Sequence, residues 1–111
     1  MGTAWLVCDG RVLASVEIAS TRADRRRGLL GRDGLDGALL IERARWVHTI
    51  GMRFSVDVAY LDASGNVLKT VRMGRHRVGM PVFKARSVVE AEAGAFARWG
   101  LHVGDQIDVR R

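Results

Sequence analysis

Two rhythms alternate along the chain. From residue 11 the pattern has a period of two: Val12, Ala14, Val16 and Ile18 fall on one side, and Arg11, Ser15 and Glu17 on the other. That alternation predicts a half-buried strand. A second β-compatible run, TAWLVC, precedes it. Asp9-Gly10 between the two is a two-residue turn signal, so residues 3–19 predict a hairpin. The period then changes. In STRADRRRGLLGRDGL, Ala23, Arg27 and Leu30 share one helical face, Ser20 or Thr21 can cap it, and Thr21-x-x-Asp24 has the capping-box form. Gly28 and Gly31 predict that this helix is brief. Arg25, Arg26 and Arg27 are consecutive, so they are expected to point in three directions and to form no single patch.

Strand patterns return after residue 36. GALLIE reads as a short buried strand and WVHT as another, and the IGMRF loop leads into the strand VDVAYLD. ASGN turns the chain back into VLKTVRM, a second hairpin. Residues 74–86 show no period and carry two glycines, the only proline and five basic residues, which predicts a long surface loop. SVVEAEAG is a further strand. AGAFARWG is a helix of one or two turns, with Ala95, Phe96 and Trp99 on one face and Gly100 as its stop. VGDQIDVRR closes with a turn and an edge-like strand.

About seven short strands and two short helices, mostly without crossover helices, predict antiparallel pairing, and a sheet of that size curls to bury a face. The expected class is α+β: a strongly curved, barrel-like, mainly antiparallel sheet closed by two short helices. The length of 111 residues predicts one domain, 1–111.

Composition narrows the function classes. The single cysteine, Cys8, lies in an apolar run and reads as a small buried hydrophobe, so no internal disulfide is possible. His48, His76 and His102 lack ligand spacing and no cysteine pair exists, so no metal and no cofactor is expected. No basic leader or bilayer-length apolar run is present, which predicts a cytoplasmic chain without membrane insertion. The net charge of +6 permits an anionic partner. The basic residues are scattered and stacking aromatics are few, so specific nucleic-acid binding is not expected.

The chemistry sits in polar residues set among apolar ones: Arg25, Arg32, His48, Asp57, Glu90 and Asp105. Asp57 and Glu90 fall inside strand patterns, and a buried carboxylate needs donors or a cation. Arginine offers a bidentate fork, so Arg25 or Arg32 paired with Asp57 or Glu90 accounts for both residue types. Asp57 is alternatively satisfied by backbone N–H groups of the HTIGMR loop. Such a network fixes register, or it builds a site. No G-x-S-x-G or H-E-x-x-H is present.

Four segments resemble a known family. DRRRGLLGRDGL is similar to the E-R-x-x-G-L-M-x-R-x-x-L signature of the DUF192 (UPF0127) family: Arg25, Gly28, Leu29, Arg32 and Leu35 occupy its positions, with Leu30 in place of Met. VHTIGMRFSVDVAYLDASG resembles that family's F-W-M-x-N-T-x-x-P-L-D-I-x-F-I-D-x-x-G, matching Asp57, Leu61, Asp62 and Gly65. Val88, Glu90 and Gly94 match its V-L-E-x-x-x-G, and Gly104-Asp105 its last turn. His48 replaces the family's Trp, Gly51-Met52 its Asn-Thr and Ser55 its Pro, so no role of the Asn-Thr pair transfers. The resemblance covers about residues 20–107 and implies a small α+β domain with a largely β core, without an activity.

Two functions fit. One is a non-enzymatic binding or accessory module, with a pocket where the His48–Asp57 loop meets the Arg25–Arg32 segment and with Thr49, Glu90 and Asp105 nearby. Its arginines suit an anionic small molecule or an acidic peptide of a protein partner. The other is a hydrolase or transferase using His48 as general base, oriented by Asp57, with an arginine holding the anion.

Overall fold

The computed structural model describes residues 2–111. Seven strands and two helices follow one another as β1 (Gly2–Cys8), β2 (Arg11–Ala19), α1 (Arg22–Arg27), β3 (Ala38–Glu42), β4 (Val56–Leu61), β5 (Val67–Met73), β6 (Ser87–Glu92), α2 (Ala95–Trp99) and β7 (Ile107–Arg110). They form one sheet in the order β5-β4-β6-β3-β2-β1-β7. Five neighbouring pairs are antiparallel. The exception is β2 with β3, which run parallel because α1 and the segment after it carry the chain back across the sheet. The fold is therefore a mixed, mainly antiparallel sheet with one helical crossover.

The two ends of this order meet. Val67 N–H donates to the Asp105 carbonyl at 2.8 Å, Gly104 N–H to the Val67 carbonyl at 2.9 Å and Ile107 N–H to the Gly65 carbonyl at 2.8 Å. The sheet thus curls into a half-barrel whose outer strands touch at one end, which shields part of two otherwise unpaired edges.

Alternation along the strands separates two cores. Ala59, Leu61, Val89 and Ala91 face inward with Leu6, Val16, Leu40 and Ile107, and α2 plugs that space with Ala95 and Phe96. Val56, Val58, Tyr60 and Val88 face the opposite way, where Leu29, Leu35, Val47, Met52 and Ala85 cover them. Cys8 is a free, buried member of the inner core.

The local signals act as the physics requires. Asp9 and Gly10 both have positive φ, 53° and 74°, the twist that joins β1 to β2 tightly. The Thr21 side chain accepts from Asp24 N–H at 3.1 Å and caps α1. Gly28, at φ 50°, ends it. WVHT does not become a strand. It forms one bridge, His48 with Val78, and Thr49 then grips the 74–79 segment: its hydroxyl donates to the Gly74 carbonyl at 2.6 Å and accepts from Arg77 N–H at 2.8 Å. Two residues after Thr49 the chain turns at Gly51 and then buries Met52, which ends any ladder. Among the described residues no helix is long and apolar enough to cross a membrane.

Candidate functional site

Two carboxylates are buried, Asp57 and Glu90, each 4 % exposed. Their strands are neighbours, but Asp57 pairs across with Ala91 and Glu90 with Val58, so they emerge on opposite faces of the sheet. Asp57 lies under α2. Its Oδ1 accepts from Arg72 Nε at 3.0 Å, and its Oδ2 accepts from Gly94 N–H at 2.9 Å and Phe96 N–H at 3.1 Å. Its arginine is therefore Arg72, the residue directly across on β5, and not Arg25 or Arg32. The N–H groups come from the start of α2, not from the HTIGMR loop. The reason is the face: α1 and that loop cover the other side of the sheet.

Glu90 lies on that other side, at the floor of a cavity of about 460 Å³. The end of α1 and the segment leaving β3 wall it. Arg22, Arg25, Arg26, Arg27, Arg43 and Arg45 all contribute to the lining, together with Trp46 and His48. Leu29, Ile41, Val47 and Met52 supply apolar surface between the arginines and the floor. The three consecutive arginines do share one concavity, contrary to the reading from helical spacing: α1 stops at Gly28, and the cavity wraps around its last turn. None of the six arginines is ion-paired among the described residues; the pairs that form are Arg32 with Glu17, Arg53 with Asp33, Arg72 with Asp57 and Arg110 with Asp108.

Burial without a counter-charge pushes the Glu90 carboxyl up from 4.5 to about 7. Glu90 in turn helps raise the Tyr60 phenol, after burial as the larger cause. Arg25 Nε is buried without a hydrogen-bond partner. A carboxyl group without a protein donor and a buried Arg25 Nε without an acceptor thus border one cavity and do not satisfy each other.

Of the residues expected to form a site, the structure brings Arg25, His48 and Glu90 together. The others fall elsewhere. Arg32 pairs with Glu17 on β2, at 2.6 Å. Thr49 is fully buried and serves the loop clip. Asp105 Oδ2 accepts from His102 N–H at 2.8 Å in the turn before β7. His48 has no carboxylate partner: its Nδ1 accepts from Ile50 N–H at 3.2 Å, and its ring stacks at a tilt on Trp46, centroids 5.5 Å apart. Asp57 cannot orient it, because both Asp57 oxygens are committed on the opposite face. The general-base arrangement of His48 with Asp57 is therefore not formed. Arg22, Arg43, Arg45 and Trp46 were not anticipated; for the last three the signal was RARW directly after the strand ALLIE, three basic or aromatic residues where the chain leaves the sheet.

The family model DUF192, described as an uncharacterized ACR, matches residues 6–109. The chain belongs to the DUF192 family. No curated protein matches it. Two crystal structures share its fold. A protein of unknown function from Novosphingobium aromaticivorans superposes with a TM-score of 0.80 at 17% identity, over 96% of this chain and 83% of that one. A Sinorhizobium meliloti protein, described provisionally as a transcription regulator, gives 0.81 at 19% identity, over 96% and 92%. At such identities the likeness carries the fold alone. The DUF192 signature positions have separate jobs here: Arg25, Gly28 and Glu90 border the cavity, whereas Arg32 and Asp57 are tied into the scaffold.

Proposed function

We propose that this DUF192 protein is a non-enzymatic binding module, and that the cavity between α1 and the end of β3 takes a small molecule carrying an anionic group. The observation that supports this is a charge imbalance. Six arginines without carboxylate partners converge on one cavity that contains a single acidic side chain, and that side chain resists ionisation. Guanidinium groups left without a counter-charge around a concavity repel one another, and an oxyanion held by their planar forks relieves that repulsion; Arg43 Nη2 and Arg45 Nε are steadied by the Ser20 and Ala85 carbonyls, at 2.9 and 3.2 Å. The volume lies in the range of small-ligand pockets, and the apolar strip from Leu29 to Met52 gives a ligand body something to pack against.

The test is thermal unfolding at low ionic strength in the presence of phosphate, sulfate and small carboxylates, against chloride at matched ionic strength. A bound native state gains stability as RT ln(1 + [L]/Kd), so a saturable rise in Tm is expected for at least one of these anions. Arg25→Gln and Arg43→Gln should each weaken that response about tenfold, the loss expected for a charge-assisted hydrogen bond. A response to chloride equal to that of the oxyanions, or variants that respond like the parent, overturns the reading.

A further inference from the structure

Glu90 poses a question that an anion alone does not answer. Six arginines attract negative charge to a cavity whose floor already holds a carboxyl group, 4 % exposed and without any hydrogen bond or charge partner from the protein. Strand β6 is bonded on both sides, to β3 and β4, so Glu90 cannot withdraw by shifting its backbone. Its strand neighbours across the sheet, Leu39 and Val58, are apolar and offer no donor. Gly28 presses the end of α1 close above it: a Cβ there would stand 4.0 Å from Glu90 Oε1 and from Ile41 Cδ1. The carboxyl group is thus fixed and without a donor from the protein; of the described side-chain atoms only Arg25 Nε is both fully buried and unpartnered, so the Glu90 oxygens stay open to the cavity, where a donor can reach them. Arg25 Nε, buried beside the same cavity, lacks an acceptor. One pocket therefore presents two unmet needs of opposite sign.

Resting on the binding reading above, we infer that the ligand is amphoteric: it carries an oxyanion for Arg25 and the neighbouring arginines, and an ammonium group that donates to Glu90. Anionic ligands without a cation leave the floor carboxyl unpaired, or require it to remain protonated next to them. An ammonium group removes that cost, and the apolar strip of Leu29, Ile41, Val47 and Met52 suits the short carbon chain that joins the two charges. Buried polar groups discriminate strongly against a ligand that lacks their partner, so Glu90 is the specificity-determining residue of the cavity.

Matched probes test this on the parent protein. Phosphoethanolamine is compared with ethyl phosphate, and β-alanine with propionate, by calorimetric titration; the members of each pair differ by the ammonium group. In at least one pair the amphoteric member should bind about tenfold to a hundredfold more tightly, the factor expected for one hydrogen bond between charged groups. Glu90→Met, unable to accept such a bond or to carry a charge, should erase the preference, and ethyl phosphate or propionate, relieved of the carboxyl group, should bind at least as tightly as to the parent. Glu90→Gln should lower the preference as well, because it removes the charge and keeps the shape. If both members of each pair bind equally, or if the preference survives Glu90→Met, the inference falls while the anion site stands. If none of the four compounds binds, both fall together.

Discussion

Asp57 and Glu90 are equally buried, sit on adjacent strands and face opposite sides of one sheet, yet their surroundings could hardly differ more. Asp57 accepts three hydrogen bonds and holds the first residues of α2 against the sheet. Glu90 accepts none from the protein and lines a cavity. A buried carboxylate with its donors in place is a fastening; one without them is a cost that the rest of the fold carries. The contrast separates scaffold from cavity lining in a protein where sequence motifs mark both alike. It also predicts that the two residues respond to substitution with opposite signs.

The largest expected effect is at Asp57. Asp57→Ala strands two N–H groups at the start of α2 and leaves Arg72 without its partner, so stability should fall by roughly 3–4 kcal/mol. Asp57→Asn keeps one acceptor oxygen and should lose less. Denaturant titration measures both. An Asp57→Ala protein with an unchanged midpoint would remove the fastening from the comparison.

Glu90 should behave in the reverse way. Its carboxyl titrates near 4.5 in the unfolded chain and about 7 in the folded one. Below 4.5 both states are protonated and nothing is lost. Between 4.5 and about 7 the unfolded state gives up its proton first, so the folded state binds more protons and stability falls as pH rises. Above 7 the loss is complete, roughly 3 kcal/mol from a shift of that size. Glu90→Gln has no such titration. The variant should therefore be more stable than the parent at pH 8, gain little at pH 4, and show a flatter stability profile between. A Glu90→Gln protein destabilised at pH 8 would mean that a partner for the carboxylate exists in solution.

Thr49 offers a neutral member of the Asp57 class. It is fully buried and both donates and accepts through one hydroxyl, pinning Gly74 and Arg77. Thr49→Val keeps the shape and breaks both bonds, for an expected loss of about 1–2 kcal/mol. Because Thr49 does not line the cavity, anion binding should not change. A binding loss in this variant would couple the 74–79 segment to the site and blur the division drawn between the two carboxylates.

The fold was largely legible from period and punctuation. The hairpin at Asp9-Gly10, the cap at Thr21 and the stop at Gly28 are local devices, and local devices read directly from local sequence. The β2–β3 parallel pair was not legible, because pairing across an eighteen-residue crossover depends on which faces meet and not on any window of sequence. The site was half legible for the same reason. Burial of Asp57 and Glu90 followed from their places in apolar strands. Which partner each would find depended on strand register: an even or odd position decided between α2 with Arg72 and the arginine-lined cavity. Pairing by residue type alone gave Asp57 the wrong arginine and joined it to His48, which lies beyond the sheet from it.

The smallest effect tests where His48 belongs in this division. Its side chain is exposed and touches the protein through one acceptor bond from Ile50 N–H and the tilted contact with Trp46. Surface groups with so few contacts contribute little, so His48→Ala should change stability by no more than about 0.5 kcal/mol. It nevertheless stands on the cavity lining, where its ring and that of Trp46 flank the arginines. The same substitution should weaken binding of phosphoethanolamine or β-alanine by a few fold, less than Arg25→Gln, since an edge contact is lost and not a charge-assisted one. Calorimetric titration beside denaturant unfolding resolves the two numbers. A loss of stability without a loss of affinity would move His48 to the side of Asp57, as a turn-holding residue of the loop. A loss of affinity alone keeps it with Glu90, on the face of the sheet that carries the cavity.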